Sequence, residues 1–287
     1  AALLATALHA ALATEPSLPY TVQPGDKLII LARDMLVKPG DWPEVARFNA
    51  LPDPDVIHPG QTVKFPLRLL KFVPVNTKVV SVQGQVQVGN APATVGQAIG
   101  EGGRLQTGAD SSAVVELPDG SRVQLMPATV AEVVASRNYL LRDATSQASQ
   151  PWFAGVVRVS LGAVETLASR LGLRATPLQI QTPTTVAGVR GTRFRVAHES
   201  STPNSRAEVL EGEVRADNTA QQTGADLPKG IGAVIDPTRK EVKAVPLLPA
   251  PDLSLLPNDI TSAQAAAWPM PAAPGAVAYR VQVAPDS

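Results

Sequence analysis

Three histidines, no cysteine and 25 acidic residues are the stock from which this 287-residue chain would have to build a reactive centre. The histidines stand apart: His9 in an Ala/Leu-rich lead, His58 in a Pro-Gly turn, His198 in a polar turn. There is no His-Glu-x-x-His or His-x-His spacing for zinc, and the lack of cysteine removes thiolate ligands, thiol nucleophiles and disulfides together. Gly-x-Ser-x-Gly, P-loop and dinucleotide patterns are missing too. A pair of carboxylates cleaving a glycosidic bond would have to converge. Here acidic residues fall singly in turns, Glu116 and Asp119 flanking a hairpin bend. The expectation is a protein without enzymatic activity, cofactor or metal. What remains suits binding. Gln23-Pro24-Gly25-Asp26 and His58-Pro59-Gly60-Gln61 are turns that expose backbone and small apolar surface. Arg190, Arg193 and Arg195 alternate with Gly191, Thr192, Phe194 and Val196. The guanidiniums are expected to lie along one strand face, a cationic stripe for a carboxylate or phosphate partner. The alternative is that Arg190 pairs internally with Asp119, Glu208 or Glu211 while the others are solvated.

The elements around the two turns follow from local chemistry. Tyr20-Thr21-Val22 reads as a short strand before the first turn. Asp26 can cap the helix that follows, where Leu28, Ile29, Leu31, Ala32 and Met35 fall at helical spacing. After Lys38-Pro39-Gly40-Asp41, a second short helix has Pro43 in its first turn and Asn49 near its exit. The second Pro-Gly turn leads to a closing strand, Thr62-Val63-Lys64-Phe65-Pro66. The order is strand, helix, helix, strand.

These residues, from the Tyr20-Thr21-Val22-Gln23-Pro24-Gly25-Asp26 start through Phe48-Asn49 to the Ile57–Pro66 end, resemble the LysM module, a βααβ domain that binds N-acetylglucosamine-containing glycans such as peptidoglycan. The resemblance implies a shallow groove lined by Gly25, Asp26, Lys27 and Leu28 on one side and Val56, Ile57, His58 and Pro59 on the other. Lys27 stands where the family usually has Thr or Ser, and Ile29 where an aromatic is frequent. Asp26 then has two readings, cap or sugar contact; Leu28 and Ile57 likewise line the groove or belong to the core.

From residue 78 to about 245 the texture changes to strands separated by glycine turns. Val80-Ser81-Val82-Gln83 alternates apolar and polar and breaks at Gly84; residues 112–125 read as a hairpin bent at Pro118-Asp119-Gly120. Further strands are expected over 156–161, 178–182, 186–189, 192–197 and 207–214. Strands at near-regular spacing without long helices imply a sandwich, barrel or β-roll. Thr107-Gly108-Ala109-Asp110, Leu117-Pro118-Asp119-Gly120 and, above all, Thr182-Pro183-Thr184-Thr185-Val186-Ala187-Gly188-Val189-Arg190-Gly191-Thr192 resemble the FecR family. That resemblance implies a periplasmic β domain making protein contacts. Gly188 and Gly191 are expected to mark a sharp corner.

The organisation expected is therefore mainly β. It comprises a signal-peptide-like segment (1–13), a LysM module (18–67), a FecR-like all-β domain (79–240), a Pro-rich linker (241–262) and the opening of a fibronectin-III-like region (263–287). The 25 basic and 25 acidic residues cancel, which argues against nucleic acid, and no run is long and apolar enough for a membrane anchor. Together these features imply an exported protein of the periplasm or cell envelope. It would hold peptidoglycan or a related glycan and present a β surface to an envelope protein. The alternatives are a FecR-type sensor or a targeting module for a cell-wall enzyme.

Overall fold

A computed structural model describes residues 15–142, 149–170, 174–189, 191–249 and 274–276. The expected lead 1–13, and all but three residues of the expected 263–287 region, lie outside the described residues.

The N-terminal unit forms as its turns dictate. Strands β1 (Ser17–Thr21) and β2 (Thr62–Pro66) pair antiparallel, with Tyr20 opposite Val63. Between them lie α1 (Leu28–Met35), a 3₁₀ turn (Pro39–Asp41) and α2 (Trp42–Phe48). Leu28, Leu31, Ala32 and Met35 of α1 face inward, whereas Ile29 is 54% exposed, so the buried stripe is narrower than the apolar pattern. At the end of α1, Lys71 Nζ donates to the carbonyls of Arg33 (2.9 Å) and Asp34 (3.0 Å), a cation on the negative end of the helix. Asn49 fixes the exit of α2. Its Nδ2 donates to the carbonyls of Val45 and Lys64, and its Oδ1 accepts the Lys64 N–H at 2.8 Å.

The larger unit is two sheets sharing one strand. Ser149–Leu167 pairs through its first part with Val130–Arg142 and, in parallel, with Leu178–Gln181. Through its last part it pairs with Arg122–Leu125 and Arg193–His198. The first sheet continues through Thr185–Val189, Glu213–Asn218 and Thr223–Pro228. The second continues through Ser205–Glu211, Ile231–Ile235 and Lys243–Pro246. On the other flank stand Arg104–Thr107 and Val86–Val88 in the first sheet, and Ser112–Glu116 and Thr77–Gln83 in the second. The crossover in the shared strand is at Gly162 (φ +85), where a Cβ would lie 2.7 Å from the Ala128 carbonyl oxygen; only glycine fits. One core fills the space between the sheets, including Val79, Leu105, Val159, Ile180, Phe194, Val209 and Ile235. Each such side chain contributes about 1.5–3 kcal/mol on burial.

Three boundaries differ from expectation. The strand expected over 156–161 is only the middle of the 19-residue shared strand. The one expected over 207–214 breaks at Gly212 (φ +79), where the chain changes sheets. The segment expected to open a linker at 241 instead supplies an edge strand, Lys243–Pro246.

Residues 67–78 make contacts with both parts of the chain. Leu67, Leu69 and Leu70 are buried, and Phe72–Pro74 pairs with Arg137–Tyr139. Arg137 clamps Glu101 with two 2.7 Å hydrogen bonds and lies 4.2 Å from the Phe72 ring centroid. Further along the same hairpin, Tyr139, Leu141 and Ala154 are buried in the hydrophobic cluster of the βααβ unit, with Trp152 packed against it. Periodicity changes at the connector, but burial continues across it.

Candidate functional site

Pairing of β1 with β2 brings the two Pro-Gly loops to one end. The Val22 N–H donates to the Gln61 carbonyl (2.9 Å), and the Gly60 N–H to the Val22 carbonyl (2.8 Å). Gly25 (φ +87) and Gly60 (φ +85) take the left-handed conformation their turns require, each with open space where a side chain would stand. Of the eight residues expected to line the groove, Gly25, Lys27, Val56, His58 and Pro59 are exposed. Leu28 and Ile57 are buried in one apolar cluster and form the floor beneath the loops.

Asp26 does not cap α1. The residue before α1 is Lys27, which makes no side-chain cap bond. The Asp26 carboxylate, 3% exposed, instead accepts hydrogen bonds from the Tyr20 hydroxyl (2.7 Å) and the Gln23 N–H (2.8 Å). Arg142, from the long hairpin, completes its shell at 3.2 Å. Burial pushes the Tyr20 phenol up to about 12, and the hydrogen bond to Asp26 adds to the rise. The turn is thus closed by its own aspartate: Gln23 N–H to the side chain, Asp26 N–H back to the Gln23 carbonyl at 3.1 Å.

The arginine stripe resolves differently. Arg190 lies outside the described residues. Arg193 and Arg195 do share a face, with Phe194 and Val196 turned into the core. That face meets Glu165 on the shared strand, directly opposite Arg195. Arg193 Nε donates to Glu165 Oε1 (2.7 Å) and Arg195 Nε to Oε2 (2.8 Å). The expected cationic stripe is a clamp on an internal carboxylate, because a cross-strand neighbour supplies the counter-charge. The expected corner also narrows to one glycine. Gly191 has φ +62, whereas Gly188 lies within Thr185–Val189 with room for a methyl group.

Burial alone would raise the Glu165 carboxyl, but Arg195 and Arg193 more than reverse it and hold it below the ordinary glutamate value. A depressed folded-state value means the stabilisation is fully present above the unfolded glutamate value, near about 4.3, and is lost as pH falls through the folded one. Glu165→Gln should therefore lower the thermal midpoint at pH 7. The gap to wild type should close at an acid pH below the folded-state value. A gap of equal size at both pH values would remove the ion pair as its cause.

A family model described as "LysM domain" matches residues 20–66, and one described as "FecR protein" matches residues 103–215. The chain carries a LysM domain followed by a FecR domain. The two sheets that hold the FecR match also take in Thr77–Gln83 before it and Thr223–Pro246 strands after it. Two crystal structures of a protein described as a "putative anti-sigma factor" from Parabacteroides distasonis are similar to the chain at 19% identity, with a TM-score of 0.38. The match covers 50% of this chain and 59% of that one. No curated protein matches the chain.

Two polar centres of the FecR domain escaped sequence reasoning. Arg174 and Asp119 form a buried pair at 2.5 Å, with Ser121 bonded to both. Their separation of 55 positions leaves no local signal for such a pair. Ser205, fully buried, shares its hydroxyl with Thr182 (2.7 Å), Thr184 (2.5 Å) and His198 Nδ1 (3.1 Å). The serine–histidine pair is a cross-strand tie, since His198 lies opposite Ser205 in the sheet register. Among the described residues no group of three His, Asp or Glu side chains could hold a metal ion, and no helix is long and apolar enough to cross a membrane.

Proposed function

We propose that this is an exported, non-catalytic envelope protein. Its LysM loops bind an N-acetylglucosamine-containing glycan, peptidoglycan foremost, and its FecR domain offers a β surface to a protein partner. The observation that carries the reading is the convergence of the two Pro-Gly loops over the buried Leu28 and Ile57. Loop backbone and small apolar groups such as Val56 and Pro59 suit a sugar face and an acetamido methyl. With Leu28, Ile57 and Asp26 turned inward, recognition falls to loop backbone and to exposed Val56, His58 and Pro59, while Lys27 stands beside them as an exposed cation.

The test is co-sedimentation of the full chain with purified peptidoglycan sacculi. Val56→Asp, at a 48% exposed position that leaves the core alone, should weaken binding at least about tenfold, or 1.4 kcal/mol. Lys27→Thr should preserve it, and raising salt to physiological strength should matter little, because an uncharged sugar offers no pair to screen. Binding released by modest salt and indifferent to Val56→Asp would overturn the groove reading. A second reading, a sensor that reports glycan occupancy to an envelope partner, draws support from the hydrophobic cluster common to both domains.

A further inference from the structure

We propose that the glycan site is built by two domains, with Arg142 of the FecR hairpin acting as a positioning residue for the LysM loop. This rests on the glycan reading above and goes beyond it, since the residue lies 116 positions from the loop it orders. The Asp26 carboxylate is the keystone of the first loop: it accepts from Tyr20 and Gln23 and so sets the turn in which Gly25 exposes its backbone. A carboxylate 3% exposed needs a counter-charge, and among the described residues the ion pair found for it is with Arg142. The guanidinium reaches Asp26 because the hairpin is docked. The Arg142 N–H meets the Met35 sulfur at 3.5 Å, and Leu141 is buried beside it in the LysM cluster. Loss of the cation leaves the carboxylate to seek water, and the turn opens where the sugar is to be held. By linkage, glycan that selects the closed turn also tightens the hairpin contact.

The experiment measures binding of a soluble N-acetylglucosamine tetramer to the full chain by calorimetry, with circular dichroism to confirm folding. Arg142→Gln should weaken binding about tenfold, and Arg142→Lys should recover most of that loss, which a purely steric packing role would not permit. In an Asp26→Asn background, where no charge is left to balance, Arg142→Gln should change affinity less than about twofold. This second comparison decides the matter if Arg142→Gln alone does not fold. Wild-type binding that Arg142→Gln retains, or losses that simply add in the double variant, would overturn the two-domain site while leaving the glycan reading intact. Failure of the wild type to bind either the tetramer or sacculi would overturn both.

Discussion

Asp119→Ala should lower the stability of the FecR domain by about 3–5 kcal/mol, the cost of stranding one partner of a buried ion pair. Arg174 is 5% exposed and Asp119 2%, so neither charge can turn to water. The guanidinium also donates to Ser121 Oγ (2.7 Å) and the Ser169 carbonyl (3.0 Å), while its Nε has no partner among the described residues. It therefore holds the 117–121 bend against the segment that follows the shared strand, and that tie depends on the carboxylate. Chemical denaturation measures the effect directly. Replacing both partners, Asp119→Leu with Arg174→Met, should recover much of the loss, because two apolar side chains bring no charge to compensate. A single substitution milder than the double one would show that the pair contributes little.

Leu141→Asp should cost at least about 3 kcal/mol and split one unfolding transition into two. Leu141 is 4% exposed in the cluster that closes the LysM domain against the FecR hairpin. A carboxylate there loses the burial of a leucine and must itself stay hydrated, which is met most cheaply by undocking the two domains. Scanning calorimetry of the wild type should show a single transition, and limited proteolysis should spare the connector at residues 70–76. In the variant, the same protease should release the LysM domain. Release of that fragment from the wild type would refute the shared cluster.

What could be read from the sequence was local. The turns at Pro24-Gly25 and Pro59-Gly60, the inward stripe of α1 and the exit of α2 at Asn49 each depend on neighbours within a few residues. Alternation likewise announced most of the strands. The functional meaning of charged residues was hidden because their partners are remote. Asp26 reads as a cap until Arg142 is placed beside it, and Arg193 and Arg195 read as a surface until Glu165 arrives from the opposite strand. The hairpin strand Val130–Arg142 had no expectation at all; its Ser136-Arg137-Asn138 run interrupts the apolar alternation that otherwise marks it. Backbone register, not composition, made that stretch a strand and carried its tip to the LysM domain.

The strand that serves both sheets also sets the order in which this chain can become itself. A chain threaded out amino end first presents its LysM residues early, yet Tyr139, Leu141 and Ala154 must emerge before that domain's interior is sealed. Neither sheet can be completed before residues 149–167 are available, and half of each lies on either side of them in sequence. Contacts so far apart close slowly, because the entropy of long loops is surrendered before burial returns it. On this topology the LysM interior is completed only once a hairpin from the middle of the chain docks on it.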